Sequence, residues 1–221
     1  MRLGRKRGPA EPEDATTDDE STDDESAEGG GILDLPGVGP FDESQVDVEE
    51  YLEKHGGVDL GSLVVIPDEG MEVRLEVDEA TGDVGAVVLV TEDGALELRA
   101  FAASRGGDAW AELRPQIAAE VARIGGTATE QQGSFGAELV CRVPMQSPDG
   151  QGGTQTSRVI GMLGPAWILR ATLMGAAALD PALAEPWEES IRRVVVRRGR
   201  EAMPPGSPLP LRLPPEARRV D

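Results

Sequence analysis

The stretch GPAWILRATLMG, residues 164–175, places one arginine, Arg170, in an otherwise apolar, strand-like run. A guanidinium in that setting either grips an anion through two parallel hydrogen bonds or neutralises a charge of its own chain. The chain offers one internal partner of matching character. In FGAELVCRV the single acid is Glu138, set among residues that alternate between two faces. An unpaired charge inside a sheet is strongly destabilising, so the first expectation is a structural Glu138–Arg170 pair. The alternative leaves Arg170, or Arg99, free to hold a carboxylate or phosphate in a sheet-side pocket.

The remaining reactive residues are sparse. The chain has one histidine, one cysteine and two lysines. His55 stands in EKHGG, at the end of a short predicted helix, where a cation complements the helix dipole; a triad would need a nucleophile and an orienting acid around it. Cys141 lies in AELVCRV and reads as a small buried hydrophobe. One thiol forms no internal disulfide and no thiolate metal cluster. DEATGD carries oxygens but lacks the spacing of a calcium loop, so it reads as a hairpin turn. GVGP lacks the third glycine and the preceding strand of a dinucleotide fingerprint. Trp110, Trp167 and Trp187 occupy packing positions rather than a base-stacking platform. No catalytic, cofactor or metal residue is assigned.

These residues need elements to hold them. DVEEYLEKHGG predicts a helix with Val48, Tyr51 and Leu52 on one face. MEVRLEV alternates apolar and charged residues, the period of a half-buried strand. With VGAVVLV and ALELRAFAAS it forms an antiparallel meander joined at ATGD and TEDG. DAWAELRPQIAAEVARIGG is the clearest helix: Asp108 caps it, Trp110, Leu113, Ile117, Val121 and Ile124 recur at threes and fours, and Pro115 kinks it or restarts it. A second strand set follows in TATEQQ, FGAELVCRV, SRVIGML and AWILRATLM. Taking Gly164–Pro165 as the turn sets Met162 opposite Trp167 and Val159 opposite Arg170. Asp180 and Pro181 then open a helix with Leu183, Trp187 and Ile191 inward, and VVVRRG closes the core as a strand. The nearly continuous apolar runs VVLV, VIGML and WILRATL imply cover on both faces of the sheet. The expected fold class is α+β, a twisted antiparallel sheet of two strand sets flanked by helices.

Charge divides the chain. The 221 residues carry a net charge of −20. Residues 11–28, EPEDATTDDESTDDESAE, hold ten carboxylates and, Pro12 aside, nothing apolar larger than alanine. Such a segment cannot offset the entropy of ordering it, so residues 1–36 are expected to be a disordered acidic arm and linker. Residues 37–199 are expected to be a single domain, and 200–221 an extended Pro/Arg-rich tail. Residues 29–190 alone hold 28 acidic and 9 basic side chains. Nucleic-acid binders show a basic stripe, because phosphate contacts dominate their affinity; this core has none. No apolar run reaches the ~18 residues of a spanning helix, and the basic start lacks the apolar stretch of a signal peptide. A cytoplasmic location, away from membranes, is expected.

The motifs GPFDESQVD, DLGSLVVIP, GMEVRLEVDEATG, LRAFAAS, GSFGAEL, GPAWILRATLMG and VVVRRG followed by LPLRLP, in this order, resemble an uncharacterised actinobacterial family defined only as a domain of unknown function. The commoner pattern of that family has arginine before the tryptophan, where this chain has Ala166. At the level of fold alone, the element order is similar to the Mog1/PsbP type, small antiparallel sheets flanked by helices that are often binding proteins rather than enzymes. The expectation of a non-enzymatic interaction module rests on the sparse reactive residues, one histidine, one cysteine and two lysines with no convergent acid–base set; the likeness is analogy, since fold by itself does not fix function. The acidic core fits a basic protein partner, or simply serves solubility. The second reading is a small anionic-ligand binder with a pocket near Arg170, and the third an enzyme using carboxylates only.

Overall fold

In the computed structural model the described residues are 39–146 and 152–214. Contacts divide the chain into two units, Met1–Ile32 and Leu33–Asp221; everything below belongs to the second. The expected acidic arm lies outside the described residues. The strands are β1 (Phe41–Asp42), β2 (Val58–Asp59), β3 (Leu63–Val65), β4 (Glu72–Val77), β5 (Val84–Val90), β6 (Gly94–Ala102), β7 (Thr127–Gly133), β8 (Gly136–Gln146), β9 (Gly152–Leu163), β10 (Trp167–Gly175) and β11 (Val195–Val196). The helices are α1 (Val48–His55), α2 (Ala109–Arg123) and α3 (Pro181–Arg192).

The fold is α+β. Seven strands form one antiparallel sheet in the order β4-β5-β6-β10-β9-β8-β7, so the two strand sets join where β6 pairs with β10. A second, mixed sheet, β1-β11-β3-β2, was not expected from the sequence. Its members are two or three residues long, and β1 runs parallel to β11. Such short pieces carry no period of their own. Leu63 and Val65 of β3 turn toward the large sheet, whereas Val64 packs with Tyr51 of α1, Phe41 and Val195. The unbroken apolar run of β3 follows from burial on both faces.

The large sheet has two unlike faces. One packs Leu96, Leu98, Leu169, Ala171 and Leu173 against Ala184, Trp187 and Ile191 of α3 and against the small sheet. On the other, α2 covers β7, β8 and β9, with Trp110 and Val121 over Leu139, Cys141, Val159 and Ile168. Gly161 permits this contact, since a Cβ there would fall 2.2 Å from the Trp110 ring. The helix continues through Pro115 as one element, at the cost of one intrahelical hydrogen bond. Double cover was expected for VVLV as well, but α2 does not reach it. Val87 and Leu89 are buried, whereas Val88 and Val90 stay half-exposed on the open half of this face.

Three further expectations need correction. The β9–β10 register is shifted by two residues, with Leu169 opposite Met162 and Arg170 opposite Gly161. The turn is longer than two residues, closed by Gly164 N–H donating to Trp167 O at 2.9 Å. A two-residue shift preserves the faces, so the core assignment holds. Leu183 is not inward; the buried stripe of α3 is Ala184, Trp187, Glu188 and Ile191. Ile124 caps α2 rather than packing and is half exposed.

Two segments distant in sequence are tied together by Asp42 and Trp167. Asp42 caps a 3-10 turn through a capping box and accepts the Trp167 indole N–H at 2.7 Å. Burial pushes the Asp42 carboxyl up, but hydrogen bonds from the Ser44 side chain, Trp167 and the Ser44 backbone more than offset it, leaving the carboxyl below its usual range. A depressed carboxylate stabilises the fold above its unfolded value, and that contribution fades as pH falls through the folded value. The Asp42→Asn variant is therefore expected to lose less stability than the parent between about pH 6 and pH 3. Urea midpoints at both pH values check this; parallel losses in the two proteins would refute it.

The C-terminal segment runs along the edge that β5 leaves open. Ala102 N–H donates to Ser207 O and Leu209 N–H to Ala100 O, each at 2.8 Å. Leu209 is buried, while Leu213 is exposed.

Candidate functional site

Arg170 and Glu138 do not meet. Glu138 on β8 lies opposite Ile160 of β9, and Arg170 on β10 lies opposite Gly161, the next residue. Neighbouring residues of a strand point to opposite faces, so the two charges are separated by the sheet itself. The expected pair is replaced by two others.

Arg170 belongs to a charge ladder on the open half-face. It sits directly opposite Arg99 of β6, an unfavourable pairing of like charges that Glu97 relieves. Glu97 Oε1 accepts from Arg99 Nε at 2.9 Å and Arg170 Nη2 at 3.4 Å. Arg99 also reaches across β5 to Glu76 at 2.9 Å, above Ala86, whose methyl leaves room. The Arg170 guanidinium stands over the Phe101 ring at 5.4 Å, a favourable cation–π geometry. Arg170 and Arg99 are thus both engaged, and neither lines any of the cavities described below.

Glu138 lies on the opposite face, fully buried. Its partner is Arg158 of β9, whose Nε and Nη2 reach Oε1 and Oε2 at 2.8 and 2.9 Å. The same Nη2 donates to Glu188 Oε1 of α3 at 2.8 Å, and Glu188 Oε2 meets Arg192 at 3.5 Å. The four charges alternate in sign along one chain, and Gln131 adds an amide hydrogen bond to Glu138 at 2.6 Å. They line a cavity of about 470 Å³ between β8, β9 and the start of α3. A side chain at Gly133 would strike the Glu138 carboxylate, 2.4 Å from the added Cβ. Sequence reasoning missed this site because Glu188 was masked by the strong Leu183–Trp187–Ile191 pattern. The signal was there: Glu188 is four residues from Ala184 and three from Ile191, on the inward stripe.

Across α3 from this cavity is a groove of about 440 Å³. Met71, Leu183, Pro186 and Trp187 provide its apolar surface, and Asp68, Glu69 and Asp93 its acidic rim. Asp68 pairs with Arg193 at 2.9 Å, whereas Glu69 and Asp93 have no ion-pair partner among the described residues. Leu183 is 50% exposed.

The other flagged residues are structural. Trp110 Nε1 donates to Ala137 O at 2.6 Å, and all three tryptophans are buried. His55 lies against Tyr51 at the end of α1, the rings tilted by 46°. Partial desolvation, then Lys54 and Arg193, hold its imidazole below the usual value, which weakens the expected cation–dipole role. Asp78 caps the hairpin turn by accepting from the Ala80 and Thr81 amides. No metal-ligating group of three or more appears among the described residues, and none of their helices is long and apolar enough to cross a membrane. Cys141 is buried, and burial pushes its thiol up. Since the thiolate is the nucleophile, Ellman's reagent is expected to label Cys141 only after denaturation; rapid labelling of the native protein would contradict that burial.

No curated protein matches the chain. A crystal structure from Bacteroides thetaiotaomicron VPI-5482 is similar to it with a TM-score of 0.40 and 16% identity, over 68% of this chain and 52% of the other. The chain therefore spans about half the length of that protein. A family model described as Protein of unknown function (DUF3710) matches residues 39–220. That match begins at the GPFDES segment and takes in the Asp42–Trp167 tie, the buried charge chain and the acid-rimmed groove, and by it this protein belongs to the DUF3710 family.

Proposed function

We propose that the domain is a non-enzymatic interaction module of the cytoplasm that receives a basic segment of a partner protein in the groove beside α3. The observation that carries this reading is the pairing of an exposed leucine with unpaired acids. Leu183 lies exposed beside an apolar floor of Met71, Pro186 and Trp187, and Glu69 and Asp93 stand on the rim without counter-ions among the described residues. An apolar anchor in such a groove supplies affinity, while rim charges govern encounter and selectivity. The matching segment has one large apolar side chain flanked by lysines or arginines. The alternative centred on Arg170 is disfavoured by the engagement of that residue with Glu97 and Phe101.

The test is fluorescence anisotropy with a labelled synthetic peptide carrying one leucine between pairs of lysines. Saturable binding should weaken steeply with added salt, because exposed charges are screened beyond about 10 Å at 0.1 M. Glu69→Lys with Asp93→Lys should weaken it by about tenfold or more, equivalent to ~1.4 kcal/mol. A glutamate-flanked peptide that binds equally well, or no saturable binding of the lysine peptide, would overturn the reading.

A further inference from the structure

The 470 Å³ cavity between β8, β9 and α3 is lined by six ionisable side chains: Glu138, Arg142, Arg158, Glu185, Glu188 and Arg192. Four of them form the alternating chain Glu138–Arg158–Glu188–Arg192. That chain is neutral as a whole, and it leaves no net charge for a ligand to answer. The other two are Arg142, on β8, and Glu185, on α3. Neither has an ion-pair partner among the described residues, and they do not pair with each other. The cavity therefore presents one unmatched cation on its strand wall and one unmatched anion on its helix wall.

Opposite charges held apart on two walls of one cavity suit a molecule that carries both signs. A simple anion at Arg142 would share the space with the Glu185 carboxylate, and a simple cation at Glu185 would share it with Arg142. Only a zwitterion answers both. The volume falls in the range of about 300–1,000 Å³ usual for small-molecule sites and is ample for a free amino acid. Arg142 suits a carboxylate because its planar fork can donate two parallel hydrogen bonds. The neutral chain behind fixes the walls, since Arg158 and Glu188 join β9 to α3 at 2.8 Å. Gly133 keeps the Glu138 end free of a side chain.

We propose that this cavity binds a small zwitterion of the α-amino-acid class, its carboxylate on Arg142 and its ammonium on Glu185. The proposal stands apart from the docking reading, which uses the groove across α3.

The experiment is a two-dimensional NMR titration of the full chain with each of the common L-amino acids up to about 10 mM, well beyond millimolar affinity. At least one should give saturable shifts at residues around the cavity, such as Thr156 and Ala178. For that amino acid, the N-acetyl derivative lacks the cation and the methyl ester lacks the anion. Each should bind at least about tenfold more weakly. Arg142→Met and Glu185→Gln should each do the same to the parent amino acid. Both side chains are exposed and unpaired, so the variants should keep the parent's folded spectrum. The Glu69→Lys and Asp93→Lys changes in the groove should leave the titration unaltered. Absence of saturable shifts with the whole panel, or binding indifferent to acetylation, esterification and the two cavity variants, would overturn the proposal.

Discussion

Replacing Arg158 with methionine is expected to destabilise the protein by about 3–5 kcal/mol, because it strands two buried carboxylates that share one guanidinium. Glu138 and Glu188 approach Arg158 from different elements, β8 and α3, at 2.8–2.9 Å. Without Arg158 they would face each other's charge away from water. Arg158→Lys should recover only part of the loss, since a single ammonium cannot reproduce three hydrogen bonds in a fixed fork. Converting Arg158, Glu138 and Glu188 together to apolar residues of similar volume should recover most of it, because the intact chain also carries a desolvation cost. Chemical denaturation of the single and triple variants measures both effects. A loss below about 1 kcal/mol for Arg158→Met would show that water reaches the carboxylates and that the network is not a buried one.

Removing the Trp167 side chain should have an effect of the same size. Trp167→Ala is expected to cost about 3–5 kcal/mol, the range for emptying a fully packed aromatic site. The residue is 1% exposed and packs into the main core. Its surroundings have no slack, as a Cβ on Gly164 would come 2.0 Å from the indole. Trp167→Phe separates packing from polarity. It keeps most of the apolar volume but removes the N–H that Asp42 accepts, and a hydrogen bond to a charged group is worth about 1.5–3 kcal/mol. A double-mutant cycle of Trp167→Phe with Asp42→Asn should therefore show coupling of about 1 kcal/mol or more. Additive losses would mean that Asp42 is satisfied by Ser44 and solvent alone.

Much of this architecture was legible in the residues, for physical reasons that act locally. The alternation in MEVRLEV specifies a half-buried strand because successive side chains point to opposite faces. Asp108 and Asp180 mark helix starts because their carboxylates satisfy amides that the helix leaves free, as both do here. The meander, the longer helices and the burial of the tryptophans and Cys141 all follow from such short-range rules. Membership of a family of unknown function was legible too.

Charge pairing was not. In the sequence Glu138 reads as a strand acid in need of a cation, and Arg170 as a cation in need of an acid. The sequence offered no means of knowing that the sheet would stand between them. That depended on whether β8 meets β10 directly or through β9, and on the register of each junction, where one residue more or less exchanges the faces. Arg158 lies in a strand that separates the two, and Glu188 lies on a helix thirty residues further along. Local patterning thus determined what each residue requires: a face, a cap, a counter-charge. Only the tertiary structure decided which residue supplies it, because strand order and helix placement are set by burial summed over the whole core rather than by any one segment.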